Sequence, residues 1–223
     1  MNRFAEAQTI DHAILSPEAT QEDLLRQTKE AVALQVGTIC VNPVNAAAIE
    51  PLLEGTDTTL CVVADFPFGQ STTASRVQQI KAILDSSSPT DIDLLANYAL
   101  LKDGNDEAFI ADLKACREAA KDVIFKVILE VDALTEDEVR RGVRACIAAG
   151  ADYAKTSSGF YPGGERKGAT PEVVKIMLDE AGDAIHIKAS GGIRTRERFL
   201  ELLELGAKKI GASGTPILLG DDA

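Results

Sequence analysis

Eight short apolar, β-rich runs alternate with amphipathic helical stretches along the chain, and this alternation restricts the fold more than any other feature. The runs cover residues 9–14, 37–41, 60–66, 92–97, 124–130, 153–157, 185–189 and 209–212. Helical periodicity marks residues 21–35, 73–84, 106–120, 136–149, 171–179 and 196–205, with a weaker stretch at 44–53 interrupted by Pro51. Such alternation predicts a parallel sheet, because each strand needs a crossover before its parallel neighbour. Eight strands within 223 residues favour closure over an open sheet. The fold class expected is therefore α/β, a single TIM (β/α)8 barrel domain over residues 1–223, with a helical segment near the N-terminus between strands one and two. Hydrophobic residues make up 45% of the chain but aromatics only 4%, with no Trp. Branched aliphatic side chains of this kind suit a packed barrel interior.

Three helical stretches end in a small or apolar residue and a glycine before the next strand, at Gly37, Gly150 and Gly206. All three are expected to take the left-handed conformation of a tight αβ turn. The formal net charge of −12 argues against nucleic acid and anionic membrane surfaces as partners. An anionic substrate would need a local positive pocket working against that field. The N-terminal residues lack a signal-like apolar stretch, and no apolar run reaches bilayer length, so a cytoplasmic location is expected. Cys40, Cys61, Cys116 and Cys146 have neither metal-ligand nor redox spacing and read as small buried apolar residues.

In a barrel of this type, chemistry belongs at the C-terminal ends of the strands and in the loops that follow. Lys155, in Ala151-Asp-Tyr-Ala-Lys-Thr-Ser-Ser-Gly159, sits inside a strand, where lysine is depleted. Tyr153, Lys155 and Ser157 share one face. If that face points inward, a desolvated amine is available to attack a carbonyl; an outward lysine that keeps its charge in water is the alternative, and position alone leaves both open. Lys188 repeats the pattern in Ile185-His-Ile-Lys-Ala-Ser-Gly-Gly-Ile-Arg194. Two lysines at adjacent strand mouths are expected to lower each other's pKa. Asp93 is an acidic residue in an apolar run, placed to pair with a lysine or relay protons. Asp11 is a similar case on the first strand, whereas Asp91 reads as a strand-start or loop residue. His12 and His186 have no metal-ligand partner at useful spacing, and no metal is expected.

Gly191 and Gly192 follow the seventh run, and Gly211-Ala-Ser-Gly214 closes the eighth. Glycine-rich turns at these two places suit a phosphate held by backbone N–H groups, with Ser213 and Arg194 adding a hydroxyl and a charge. Residues 159–170 form a glycine-rich loop carrying Arg166 and Lys167, open to reading as a lid or as a solvated loop.

Taken together, the segments Ile10-Asp-His-Ala-Ile-Leu-Ser-Pro17, Thr38-Ile-Cys-Val-Asn-Pro43, Asp65-Phe-Pro-Phe-Gly69, Asp91-Ile-Asp93, Lys126-Val-Ile-Leu-Glu130, Gly150-Ala-Asp-Tyr-Ala-Lys-Thr-Ser-Ser-Gly-Phe160, Lys188-Ala-Ser-Gly-Gly-Ile-Arg-Thr195 and Ile210-Gly-Ala-Ser213 resemble the deoxyribose-phosphate aldolases. The resemblance implies a class I aldolase without metal or organic cofactor, cleaving 2-deoxy-D-ribose 5-phosphate reversibly to acetaldehyde and D-glyceraldehyde 3-phosphate. It implies Lys155 as Schiff-base nucleophile, Asp93 and Lys188 as proton donors and acceptors, and Asp11 in support. It further implies Gly191, Gly192, Arg194, Gly211 and Ser213 around the substrate phosphate, and a homodimer. The loop after Phe160 and the final turn Ser213-Gly214-Thr-Pro216 depart from the family pattern. A Schiff-base aldolase for another phosphorylated sugar, a barrel isomerase or epimerase using paired acid–base residues, and a non-catalytic sugar-phosphate binder are the competing readings.

Overall fold

The computed structural model describes residues 1–221; Asp222 and Ala223, the end of the expected domain, lie outside the described residues. Strands β1 (Ile10–Ile14), β2 (Thr38–Val41), β3 (Thr59–Ala64), β4 (Asp91–Leu95), β5 (Ile124–Ile128), β6 (Tyr153–Lys155), β7 (His186–Ser190) and β8 (Lys209–Ala212) form a closed barrel in sequence order. Each strand pairs in parallel with the next, and β8 returns to β1 with Ile10 opposite Ile210 and Asp11 opposite Gly211. The expected TIM-barrel fold is the fold observed.

Crossovers are made by α2 (Gln21–Ala33), α3 (Ala46–Leu53), α4 (Thr73–Ser86), α6 (Asp106–Ala119), α7 (Glu136–Ala149), α8 (Pro171–Ala181) and α9 (Arg196–Leu205), with the short α5 (Ala99–Lys102) preceding α6. The segment expected between strands one and two is α2. Two further short helices, α1 (Arg3–Ala7) before β1 and α10 (Thr215–Leu218) after β8, were not apparent from periodicity, since each spans about one turn. The start of α7 shows how the local sequence fixes an element. Thr135 and Glu138 form a reciprocal capping box, and three acidic residues occupy the first turn, where they oppose the helix dipole.

Strand alternation divides the interior into two layers. Outward residues such as Ile39, Val62, Ile92, Val127, Ile187 and Ile210 pack under Leu24, Ile80, Phe109, Val143, Met177 and Phe199 from the helices. Inward positions are largely polar: Asp11, Thr38, Asp91, Asp93, Lys126, Lys155 and Lys188 are all buried. The branched aliphatics expected inside the barrel therefore fill the strand–helix layer instead. The barrel interior tolerates charge because the charges are mutually paired.

Two of the three turn glycines behave as expected, with positive φ at Gly150 (73°) and Gly206 (122°). Gly37 does not; the left-handed residue in that turn is Gln35, at φ 58°. Gly37 is needed for space, because a Cβ there would lie 2.2 Å from the Gln8 carbonyl oxygen, and its own N–H donates to the Ala7 carbonyl.

Among the described residues no helix is long and apolar enough to cross a membrane. His12 points away from the barrel interior and its Nδ1 lies 2.8 Å from Thr215 Oγ1, tying β1 to α10. Burial pushes the imidazole pKa down to about 4.

Two stability predictions follow from these packings. Gly37→Ala should destabilise by about 2 kcal/mol or more, as overpacking against backbone does. Gly55→Ala, where no atom approaches within 4 Å, should cost only the left-handed strain of about 1 kcal/mol. Urea midpoints compare the two. For His12, the unfolded chain takes up a proton near pH 6.5 and the folded chain only near pH 4. The stability contributed by neutral His12 is thus complete above the unfolded value and is lost as pH falls between the two. The loss should reach about 2 kcal/mol by pH 5. His12→Gln should flatten the dependence of unfolding free energy on pH over pH 5–7.

Candidate active site

The strands bring four lysines and three aspartates together inside the barrel. Lys126 on β5 lies opposite Asp93 on β4, Lys155 on β6 opposite Lys188 on β7, and Lys188 opposite Lys209 on β8. Asp93 Oδ2 accepts from both Lys155 Nζ and Lys188 Nζ, each at 2.7 Å, and Asp93 Oδ1 accepts from Lys126 Nζ at 3.1 Å. Lys126 Nζ also donates to Asp91 Oδ2 at 2.6 Å and lies 3.4 Å from Asp11 Oδ2. Lys188 donates to Asp11 Oδ2, and Lys209 reaches Asp11 Oδ1 at 2.8 Å and Thr38 Oγ1 at 2.6 Å.

Burial alone would raise the Asp93 carboxyl pKa, but the ammoniums of Lys126, Lys155 and Lys188 outweigh it and hold the group well below the usual carboxylate range. Asp11 is held low in the same way by Lys126, Lys188 and Lys209. For Lys188 burial acts to lower the pKa, yet Asp11 and Asp93 overcome it and raise the group above the ordinary lysine value. The expected mutual lowering therefore does not hold for Lys188. Its two carboxylate partners are closer and stronger than the repulsion from a neighbouring lysine.

Above this cluster, at the C-terminal ends of the strands, lies a cavity of about 410 Å³. Lys155, Lys188, Asp11 and Cys40 line its floor, and Gly191, Gly192, Arg194, Gly211 and Ser213 line its rim. The nine residues singled out from the sequence thus meet at one place, except that Asp93 does not line the cavity and lies beneath the two lysines. Gly191 and Gly192 have φ of 93° and 75°. A Cβ on Gly211 would lie 2.6 Å from Ser190 Oγ, so the rim requires glycine at this point too.

The loop over residues 159–170 is anchored at its far end. Asp132 Oδ1 accepts from Lys167 N at 2.8 Å and Gly168 N at 2.9 Å, and the Gly191 carbonyl accepts from Ala169 N at 3.0 Å. At the near end Phe160 meets Phe66 edge-on, with ring centroids 5.4 Å apart.

Several participants escaped the sequence reading. Lys126, fully buried, gave the same signal as Lys155, a lysine inside an apolar run, but no glycine turn follows its strand. Asp91 is a strand-start residue as expected, yet it is buried and paired to Lys126. Glu130, left-handed at φ 60° and buried, accepts from Ser158 N at 3.2 Å and from Ser158 Oγ. Cys40 and Cys61, which lack redox or metal spacing in sequence, are neighbours across β2 and β3. Their sulfurs and an Asp93 oxygen lie within 4.8 Å of one another. His186 sits at the exposed lower end of β7 against Tyr153.

A closed parallel barrel with a cavity at its strand C-termini, floored by paired lysines, is the framework of a barrel lyase. Residues 5–221 match the model of the DeoC/LacD family aldolases, and the chain belongs to that family. It is 40% identical over 204 residues to the deoxyribose-phosphate aldolase of Clostridium botulinum strain Kyoto, covering 92% of this chain and 94% of that one. It is 40% identical over 216 residues to deoxyribose-phosphate aldolase 2 of Bacillus licheniformis, with 96% and 95% covered. Among solved structures, the tetrameric deoxyribose phosphate aldolase of Aeropyrum pernix superposes with a TM-score of 0.88 at 29% identity, covering 98% of this chain and 91% of that one.

Lys126→Met tests the charge balance of the site. Removing one partner from a buried ion cluster leaves carboxylates uncompensated, and a loss of about 3–5 kcal/mol in urea unfolding is expected. Lys114→Met, on the exposed face of α6, should change stability by about 0.5 kcal/mol or less.

Proposed function

We propose that the chain cleaves 2-deoxy-D-ribose 5-phosphate reversibly to acetaldehyde and D-glyceraldehyde 3-phosphate through a Schiff base on Lys155, in the breakdown of deoxyribose phosphates. The observation that carries the reading is the pair of lysine ammoniums on one Asp93 oxygen at the cavity floor. Membership of an aldolase family, and relatives whose names give the same substrate, support it.

The chemistry proceeds from the open-chain aldehyde. Lys155 Nζ passes a proton to Asp93 and, as the free amine, attacks C1, and the carbinolamine loses water to give an iminium. The C3 hydroxyl gives up its proton, the C2–C3 bond breaks, and its electron pair flows into the iminium. D-Glyceraldehyde 3-phosphate leaves, and the enamine of acetaldehyde stays on Lys155. Protonation at C2 and addition of water then release acetaldehyde and restore the amine.

Lys188 lines the cavity and stays charged, so it is the group placed to give and take protons with the substrate. Asp93 lies below it, ionised at rest, and takes up and returns protons through the lysines or through a water. Asp11 fixes the other side of Lys188. The phosphate would sit at the rim against Gly191, Gly192, Gly211, Ser213 and Arg194, where backbone N–H groups and one guanidinium meet an anion. The charged Lys188 at the floor and Arg194 at the rim supply the local attraction that the acidic surface lacks.

Borohydride added with deoxyribose 5-phosphate should leave a reduced adduct on Lys155, identified by peptide mass, at the mass of two carbons once the glyceraldehyde phosphate has left. Lys155→Leu should abolish it. Undiminished trapping in that variant excludes Lys155 as the nucleophile. A five-carbon adduct with no two-carbon adduct excludes cleavage of this sugar phosphate, and no adduct at all favours an isomerase.

A further inference from the structure

Cys40 on β2 and Cys61 on β3 are register partners and belong to one inward cluster with Leu15 and Val63. Neighbouring strands lie about 4.8 Å apart, and a disulfide spans Cα separations of roughly 4.4–6.8 Å. Rotation of the two side chains is therefore enough to join sulfurs that already lie within 4.8 Å. Cys40 lines the cavity and Cys61 does not, so a small solute in the cavity meets Cys40 first. Cys61 Sγ donates to Asp93 Oδ1 at 3.2 Å and has Lys126 Nζ at 3.8 Å. The pair thus joins the cavity to the aspartate that holds both active-site lysines.

We propose that Cys40 and Cys61 form a reversible disulfide, driven by hydrogen peroxide or another small two-electron peroxide, which switches the site off. The two thiols differ in the direction such a reaction needs. The adjacent Cys61 thiol, with Lys188 and Lys155, acts to lower the Cys40 pKa, whereas burial and the neighbouring Cys40 and Asp93 raise that of Cys61. Cys40 is the attacking thiolate and Cys61 the resolving thiol. Cys40 sulfur attacks one peroxide oxygen, the O–O bond breaks, and a sulfenic acid and hydroxide form. Cys61 sulfur then attacks the Cys40 sulfur, the S–O bond breaks, and the departing hydroxide leaves as water, the Cys61 proton being taken up by hydroxide. Two thiols lose two electrons, and one peroxide is reduced to two waters.

Once bridged, Cys61 has no proton to offer Asp93 Oδ1, and its sulfur is drawn towards Cys40 and away from the carboxylate. Asp93 loses a donor on the side opposite Lys155 and Lys188, and a rigid bridge stands at the cavity floor. Cys116 and Cys146 are buried in the strand–helix layer and take no part.

The test treats the purified chain with hydrogen peroxide, alkylates it under denaturing conditions and cleaves it at glutamate, since Glu54 separates the two cysteines. A Cys40–Cys61 linked peptide should accumulate in step with an at least tenfold fall in aldol cleavage, and dithiothreitol should restore both. Cys116→Ala with Cys146→Ala should behave as the unaltered chain. In Cys61→Ser no linked peptide forms, and activity, measured against that variant's own untreated level, is lost without recovery in dithiothreitol because Cys40 oxidises further. Absence of the linked peptide in the unaltered chain, or its full formation with turnover retained, overturns the proposal. Bond formation is read by mass and is independent of the reaction assigned above; only the loss of turnover rests on that reading.

Discussion

The carboxylate of Asp93, held by three ammoniums inside a closed barrel, is the interaction on which the rest of the site depends. None of the groups involved is stable alone at that depth, since an unpaired buried charge costs several kcal/mol. Lys126 joins Asp93 to Asp91 and Asp11, and Lys188 joins Asp93 to Asp11, so each ion except Lys155, whose one counterion is Asp93, has more than one. A cluster satisfied in this way has fixed geometry. Its members cannot move separately without leaving a partner bare, which keeps Lys155 and Lys188 at one level beneath the cavity.

The apolar layer outside the barrel is what allows this. Side chains alternate along a strand, so a slip of one residue would turn Lys155 outward and Ala154 inward. Ala154, Val127 and Ile187, paired in one register row across three strands, are fully buried against the helices and resist that slip. The chemistry of the inner face is therefore secured by hydrophobic burial on the outer face. Barrel closure through Ile10 and Ile210 brings Asp11 round to Lys188 and Lys209, residues far away in the chain.

Much of this was legible from periodicity and residue type. Lys155, Lys188 and Asp93 stood out because ionisable residues are unexpected in apolar strand runs, and the glycine turns marked the rim. Lys126 carried the same signal, yet its partners lie on β1 and β4, and nothing local announces them. The juxtaposition of Cys40 with Cys61 is a matter of register between separate strands, which spacing along the chain cannot reveal. Gly37 was correctly seen as a turn residue, but for a conformational reason when the cause is the approach of the Gln8 carbonyl. The raised pKa of Lys188 was missed for a similar reason. The repulsion of a second lysine is visible in sequence, whereas the two carboxylates that outweigh it come from strands one and four.

The cavity walls have a different origin from its floor. Arg76, fully buried on α4, donates to Asp65 Oδ2 at 2.8 Å, Asp112 Oδ2 at 2.5 Å and the Gly69 carbonyl at 2.5 Å. These bonds brace the turn after β3, in which Asp65 takes a left-handed conformation and Phe66 stands against Phe160. Glu130, also left-handed, braces the turn after β6 through Ser158, two residues before Phe160. A strained turn after β3, and a turn after β6 held by the strained Glu130, thus converge on one aromatic contact at the cavity edge. Strain of this kind persists only where surrounding bonds over-determine it. The ion cluster sets the floor of the cavity, and these braced turns set its edge.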